Sequence, residues 1–257
     1  MISLYDLAGA DPDLRFSPYC WRTKFVLAHK GLAVDAQPWR FTETDRLAFS
    51  GQARVPVIQD GATVVSDSWA IAVYLDQTYP DAPVLGGPLG QAHARFVNAW
   101  ADSVLVPGIA TLIVRDLLDV VAEKDRDYFR TSREARFGRS LEEVQAGRDE
   151  RVAAFRSSLT PLRMALQGRP WLGGAQPSYA DHIVAGTLMW PRCTSTFETI
   201  APDGPIAAWF GRVLDLYGGF GRAAKTVRST GDGNNAIASI GSSLSVRRGD
   251  VSEIAAG

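Results

Sequence analysis

The spacing of apolar residues changes at about residue 80, and this change constrains the fold more than any other feature of the chain. Up to that point, short segments with a period of two residues alternate with segments of helical period. Beyond residue 90 the spacing is helical and strand-like alternation is scarce. Interleaved strands and helices indicate an α/β unit, and a run of helices indicates an all-α unit. The sequence therefore predicts two domains of different class.

The predicted boundary between these domains is the segment 81–90, which contains two prolines and three glycines. This composition favours an extended, irregular connection. We therefore predict an N-terminal domain at 1–80, a linker at 81–90 and a helical domain at 91–221. The 36 residues from 222 to 257 contain no aromatic residue and many Ser, Gly and Ala, so they are predicted to form a mobile tail.

The first domain is predicted to contain its elements in the order β, α, β, β, β, α. Asp60-Gly61 is a turn pair whose positive φ values suit a tight hairpin. Pro18 fits the first position of a helix, where its missing N–H costs no hydrogen bond. The predicted elements are strands at 2–7 and 34–39, a hairpin at 57–59 and 63–65, a helix from Pro18 to Gly31, and a helix at 69–79.

Composition excludes several classes of function. With 27 Lys+Arg against 28 Asp+Glu, the net charge of -1 creates no general attraction for nucleic acid or anionic membrane. Two cysteines are too few for a disulfide framework and are compatible with a reducing cytosol. The chain begins without the pattern of a signal peptide and is predicted to have no membrane span. We expect a cytoplasmic protein.

Ser17 is the first candidate functional residue because it stands immediately before a predicted helix. A hydroxyl there lies among free backbone N–H groups, near the positive end of the helix dipole, which suits it to stabilise an anion. Plain N-capping is the alternative, and the segment alone favours it. Cys20 follows three residues later, but the preceding cysteine of a C-x-x-C motif is absent. Cys20 and Cys193 are therefore predicted to be packed core residues.

Two further segments can contact a ligand. Val55 precedes Pro56 at the entry to the hairpin, where a cis proline would aim the backbone N–H and C=O of Val55 outward. Asp67 and Ser68 at the next helix start offer a carboxylate, a hydroxyl and free N–H groups to a ligand with both an ammonium and a carboxylate. A strand-edge proline and a helix cap are the structural alternatives.

Metal and nucleotide chemistry find no support in the sequence. The three histidines are isolated, and none has a second ligand at metal-binding spacing, so no metal site is predicted. The chain also lacks a nucleophile elbow, a phosphate-binding glycine loop and a dinucleotide fingerprint. In the second half, Ser178-Tyr179-Ala180-Asp181 has the form of a capping box. The mixed charges of 123–156 indicate a solvated, ion-paired helical face.

Taken in order, these motifs resemble those of the glutathione transferase superfamily: SPYCWRTKFVLAHKG, RVPVIQDG, SDSWAIAVYLDQTYP and SYAD. The resemblance implies a thioredoxin-like N-terminal domain, an all-α C-terminal domain and a homodimer. It implies that Ser17 hydrogen-bonds the glutathione sulfur, that Val55 before cis-Pro56 pairs with the cysteinyl part, and that Asp67 and Ser68 hold the γ-glutamyl end. Arg40 is the candidate for the glycine carboxylate.

SPYCWRTK together with the charged segment is similar to the bacterial β-etherases and the fungal etherase-like class. This resemblance implies glutathione as co-substrate, a small hydrophobic electrophile, and cleavage of β-aryl ethers. A glutathione-dependent isomerase or thiol transferase is one alternative, although Ser rather than Cys at position 17 disfavours thiol transfer. A non-catalytic interaction module is the other, and the joint presence of Ser17, Val55-Pro56 and Asp67-Ser68 weighs against it.

Overall fold

The computed structural model describes residues 1–228 and contains a four-stranded sheet in its N-terminal part. The strand order is β2-β1-β3-β4, with β1 parallel to β2 and β3 antiparallel to both β1 and β4. A parallel pair needs a crossover, which helix α1 supplies. The predicted order is confirmed, with β1 (Ile2–Leu7), α1 (Pro18–His29), β2 (Val34–Trp39), a short 3₁₀ segment (Thr44–Ser50), β3 (Val57–Asp60), β4 (Thr63–Ser66) and α2 (Ser68–Thr78).

The rest of the described chain is helical. Helix α3 (Gly87–Trp100) continues through a π turn (Ala101–Leu105) into α4 (Val106–Ile113). Next come α5 (Arg126–Phe137), α6 (Leu141–Gln145), α7 (Arg148–Ser158), α8 (Thr160–Ala165), α9 (Tyr179–Thr194) and α10 (Pro205–Gly219). Helix α9 packs against α1 and is buried along most of its length.

The segment predicted as a linker is shorter in the structure than in the sequence interpretation. Helix α3 begins at Gly87, so residues 87–90 are helical. Pro88 lies in the first turn, where a missing N–H costs no hydrogen bond, so proline here starts a helix instead of preventing one. Before the helix, the backbone N–H groups of Val84 and Leu85 donate to the carboxylate of Asp76. These bonds tie the connection to α2.

Arg22 joins the sheet domain to the helical domain. Its side chain is fully buried in α1. The guanidinium donates to Asp102 Oδ1 at 2.8 Å, to Thr187 Oγ1 at 3.0 Å and to Asn98 Oδ1 at 3.1 Å. Burial of a guanidinium is costly unless its donors are paired; here both terminal nitrogens are paired, and all three acceptors belong to the helical domain. The position of α1 is therefore fixed by both halves of the protein.

Two observations bear on the membrane and tail predictions. The helical run Gly87–Ile113 is long and apolar enough to cross a membrane by length and composition, a criterion that core helices of soluble proteins also meet. At the other end, the start of the predicted tail packs against the body of the protein. Lys225 forms an ion pair with Asp11, and Arg228 donates to the Thr196 carbonyl at 2.7 Å. The prediction for residues 229–257 lies outside the described residues.

Candidate functional site

The predicted site residues lie at one edge of the sheet, and strand direction explains why. β1 and β2 end at this edge, and the antiparallel β3 begins there. β4 is antiparallel to β3, so it also ends there, directly before α2. The residues brought to this edge are Ser17 and Arg40, which follow β1 and β2, Val55 and Pro56, which precede β3, and Asp67 and Ser68, which follow β4.

Ser17 is the N-cap of α1, as its position before Pro18 predicts. Its backbone is extended, and Oγ accepts the N–H of Cys20 at 3.3 Å. The side chain is close to fully buried, since the residue is 5% exposed. A hydroxyl that accepts one hydrogen bond can still donate its O–H, to the neighbouring Cys20 sulfur or to an anion bound at the helix start. The geometry thus accommodates capping and anion stabilisation together.

Cys20 and Cys193 are free thiols in the interior, as predicted for packed residues. Burial, followed by the nearby carboxylate of Asp6, raises the pKa of Cys20 far above its usual range. Burial likewise raises the pKa of Cys193 to about 11. Thiolate is the reactive form of cysteine, so neither residue is suited to nucleophilic or redox chemistry at neutral pH.

Asp67 links the proline segment to α2. The Val55–Pro56 peptide bond is cis, and the N–H of Asp67 donates to the Pro56 carbonyl at 3.3 Å. Asp67 has φ of +78°, a conformation that non-glycine residues rarely adopt outside functional or tightly constrained positions. Its Oδ1 caps α2 by accepting the N–H groups of Trp69 at 2.9 Å and Ala70 at 3.0 Å. This cap directs the carboxylate to the start of α2.

Tyr179 is a site-supporting residue that the sequence interpretation missed. SYAD was interpreted only as a capping box, and that box is present, with Ser178 and Asp181 bonded reciprocally. The fully buried Tyr179 also donates its hydroxyl to the Ser68 carbonyl at 2.7 Å. The helical domain thereby holds the α2 start in place. The only sequence signal was an aromatic residue inside the capping motif.

Arg40 already has contacts within the protein. Its Nε donates to the Gly9 carbonyl at 3.0 Å and its Nη2 to the Ala10 carbonyl at 3.3 Å. Its Nη1 lies 3.7 Å from the Glu43 carboxylate. These bonds brace the loop between β1 and α1. Its role with the glycine carboxylate of glutathione stays a prediction, and that role has to share these donors.

Aromatic rings from three parts of the chain pack together around Phe16, the residue before Ser17, and no sequence pattern indicates this cluster. The Phe41 ring is 6.4 Å from the ring of Phe16, which directly precedes Ser17, and 5.6 Å from the ring of Phe129 on α5. The buried carboxylate of Asp125 accepts the backbone N–H of Phe41 at 3.2 Å. The helical domain therefore positions Phe41 next to the sheet edge.

Family models match both the sheet domain and the helical domain of this chain. Residues 16–78 match the family described as glutathione S-transferase, N-terminal domain, and residues 92–213 match glutathione S-transferase, C-terminal domain. Both matches follow the same order along one chain and together span most of it. The chain belongs to the glutathione transferase superfamily. Its sheet domain is the thioredoxin-like domain of that fold, and its helical domain is the C-terminal one.

Individual members of the superfamily are similar to this chain over different lengths. The glutathione S-transferase-like protein ustS of Aspergillus flavus is 33% identical over 48% of this chain and 49% of its own length. Glutathione S-transferase Z1 of Arabidopsis thaliana is 36% identical over 34% and 41%. The alignments thus span half or less of these curated relatives. A glutathione S-transferase of Ceriporiopsis subvermispora, solved in complex with glutathione, has a TM-score of 0.68 and 25% identity over 86% of this chain and 95% of its own.

A cavity of about 550 Å³ lies elsewhere in this glutathione transferase fold, between α9, α10 and the loop that connects them. Leu188, Phe197 and Phe210 contribute apolar surface to it, and Arg192 contributes charge. None of the six predicted site residues lines this cavity. Cavity volume therefore does not locate the predicted glutathione site, which lies at the sheet edge.

Proposed function

We propose that the protein is a glutathione transferase that binds glutathione at the sheet edge and stabilises its thiol as the thiolate. The observation that carries the proposal is the environment of Ser17, whose Oγ caps α1 and whose O–H can turn to donate to a bound thiolate. A hydrogen bond to a charged acceptor contributes about 1.5 to 3 kcal/mol, and a helix N-terminus about 0.3 to 1. Together they lower a thiol pKa of about 8.5 by roughly 1.3 to 3 units. Thiolate then predominates near neutral pH.

The remaining edge residues suit the other parts of glutathione. The backbone of Val55, which lies outside the β3 ladder, pairs with the cysteinyl part. Asp67 binds the γ-glutamyl ammonium with its second carboxylate oxygen, because Oδ1 is occupied by the α2 cap. The N–H of Ser68, at the start of α2, binds the γ-glutamyl carboxylate. The solved relative in complex with glutathione supports glutathione as the ligand.

In the proposed reaction, the thiolate sulfur attacks an electrophilic carbon. A C–S bond forms, and the bond to the leaving group breaks with its electron pair on the leaving group. Ser17 donates a hydrogen bond throughout and forms no covalent intermediate. For a β-aryl ether, the finer form of the proposal, the C–O bond breaks and the phenolate takes a proton from water. The aromatic surface of Phe41 beside Ser17 favours an aromatic electrophile.

Substitution of Ser17 tests the proposal. Ser17→Ala is expected to lower turnover of a simple haloaromatic electrophile by about 10- to 100-fold and to raise the apparent pKa of the pH–rate profile, because the thiolate loses its donor. Ser17→Cys removes the same hydroxyl, so its turnover is expected to fall as well. Ser140→Ala, at the N-cap of α6, is the matched control and should keep full activity. Full activity with an unchanged profile in Ser17→Ala would refute the assignment.

Two separate assays address the finer and the alternative functions. Release of phenol from β-aryl ethers incubated with glutathione tests etherase activity, and no release from several such ethers would rule it out. Retention on immobilised glutathione separates the enzyme from a non-catalytic interaction module, which is supported only if binding fails. The burial of Cys20 argues against thiol transfer.

A homodimer is part of the proposal. Helix α3 exposes Leu89 and Phe96, which are 87% and 73% accessible, and the 3₁₀ segment exposes Phe49. Large apolar side chains that remain exposed on one chain are typical of surfaces that a second copy covers. Phe96→Asp is therefore expected to yield monomers in light scattering after size-exclusion chromatography. A wild-type monomer would contradict the dimer.

A further inference from the structure

Arg133 on α5 is a half-buried cation without an acidic partner. Its guanidinium stacks on the rings of Phe41 at 5.0 Å and Phe129 at 4.7 Å. Its Nη1 donates to Ser132 Oγ at 2.8 Å. Arg136 lies three residues further along α5, so the two side chains are neighbours on one face of the helix. Within residues 1–228, no carboxylate lies within ion-pair distance of Arg133 or Arg136.

Other arginines of the same charged segment are paired. Arg130, one turn before Arg133, donates to Glu134 at 2.8 Å and to Glu142 at 2.9 Å. Arg148 contacts Asp116 at 2.7 Å. The sequence prediction of an ion-paired face is therefore right for these residues and wrong for Arg133 and Arg136. Unpaired like charges that are held together repel one another, which favours binding of an anion.

Both arginines have neighbours in the segment around Ser17. Arg133 covers Phe41, whose ring contacts that of Phe16, the residue before Ser17. The charge of Arg136 acts on the hydroxyl of Tyr19, two residues after Ser17; the pKa of that hydroxyl is raised mainly by burial and then by Asp102.

We propose that Arg133 and Arg136 form a carboxylate-binding site and that the electrophile is an anionic aromatic compound. The inference rests on the proposed function and adds the substrate class. Guanidinium groups bind carboxylates with paired, charge-assisted hydrogen bonds, and the ring of Phe41 offers a stacking surface beside them. Both arginines belong to α5 in the helical domain, whereas the residues assigned to glutathione belong to the sheet domain. The carboxylate they bind is therefore that of the second substrate.

A matched pair of electrophiles tests the proposal: 4-chloro-3,5-dinitrobenzoate, an anion, and 4-chloro-3,5-dinitrobenzamide, its neutral counterpart. In both reactions the glutathione sulfur bonds to the carbon that carries chlorine, and chloride leaves with the bonding electron pair. Arg136→Gln is the principal variant because its side chain is exposed and its loss opens no cavity. Arg133→Gln is the second variant. Arg130→Gln, on the same helix but ion-paired, is the matched control.

We expect Arg136→Gln and Arg133→Gln to lower kcat/KM for the benzoate about tenfold, because KM for the benzoate rises. The kcat/KM for the amide should stay within about twofold of the wild-type value. Arg130→Gln should leave both within about twofold, and salt near 0.5 M should weaken only the benzoate reaction. Equal losses for both compounds would overturn the proposal. A raised KM for glutathione would also overturn it, because the arginines would then hold the glycine carboxylate. If the wild-type protein converts the amide and does not favour the benzoate, only this inference fails. If it converts neither compound, the proposed function itself is refuted.

Discussion

Gly186 of α9 lies directly against the backbone of Arg22 in α1. A Cβ at Gly186 would be 2.7 Å from the Arg22 nitrogen and 3.0 Å from the Pro18 carbonyl oxygen. Backbone atoms of a packed helix cannot move aside cheaply, so the missing side chain permits the close approach of the two helices. Since Ser17 caps α1, this contact also sets the distance between the candidate site and the helical domain.

Gly186→Ala is expected to lower the free energy of unfolding by about 1 to 3 kcal/mol because the added methyl group overpacks this contact. Glutathione-dependent turnover should fall as α1 shifts. Gly211→Ala in α10 is the control, since a Cβ there meets nothing within 4 Å. There, alanine should be neutral or stabilise the helix by up to about 1 kcal/mol. Urea unfolding of both variants makes the comparison, and equal stabilities would contradict it.

Asp181 supports a buried capping box. Its carboxylate accepts the backbone N–H groups of Leu172 at 2.8 Å, Gly173 at 3.1 Å and Ser178 at 2.9 Å, and the indole N–H of Trp209 at 2.9 Å. Asp181→Ala removes the fully buried acceptor that these four donors share, and an unpaired buried donor costs about 1 to 3 kcal/mol, so we expect a loss of at least about 3 kcal/mol in urea unfolding.

The capping box at Ser140 and Glu143 provides the matched control for Asp181. It has the same reciprocal bonds but is exposed to solvent. In Glu143→Ala, water replaces the lost partner, so the free energy of unfolding should change far less than in Asp181→Ala. Similar losses in the two variants would show that burial does not set the strength of these caps.

The caps of this fold could be predicted from the sequence because they depend on neighbouring residues. Ser17, Asp67 and Asp181 each accept a backbone N–H from a residue two or three positions away, and residue type and spacing identify such contacts. The hairpin was visible for the same reason. Alternating periods then indicated the fold class, and the order of motifs indicated the family.

The supports of the site could not be predicted because they join distant parts of the chain. The bond from Tyr179 to Ser68 spans 111 residues, and the bond from Phe41 to Asp125 spans 84. Nothing in the sequence around Asp125 distinguishes it from other acidic residues of the charged segment. Ion pairs could not be predicted for the same reason, since Arg130 and Arg133 differ only in the residues that the fold places beside them.

The two cysteines provide a direct test of the interior. Burial raises the pKa of Cys193 to about 11 and raises that of Cys20 further, so both thiols stay protonated at about pH 8. We expect iodoacetamide to label neither in the native protein and both in guanidinium chloride, as measured by intact mass. Rapid labelling of Cys20 in the native state would reopen thiol chemistry next to Ser17.

The buried imidazole of His182 makes the free energy of unfolding depend on pH. Its imidazole is buried, with Nε2 2.8 Å from the Tyr217 hydroxyl, which also lies 2.9 Å from Nδ1 of His29. Burial, with a smaller effect of His29, lowers the pKa of His182 to about 3 from an unfolded value of 6.5. Below pH 6.5 the unfolded chain binds a proton that the folded chain does not, so stability is lost as the pH falls.

Between about pH 6.5 and 5, the free energy of unfolding should therefore fall by up to about 1.4 kcal/mol per pH unit for His182, and burial of His29 contributes in the same direction. His182→Gln is expected to be less stable at about pH 7.5, because Tyr217 loses a partner, but to show a shallower slope over this range. His93→Asn removes an exposed histidine of α3 and should keep the wild-type slope. Urea unfolding at several pH values measures all three slopes.

Two outcomes would contradict a neutral buried imidazole in the folded protein. One is a wild-type free energy of unfolding that stays constant over this pH range, and the other is a His182→Gln slope equal to that of wild type.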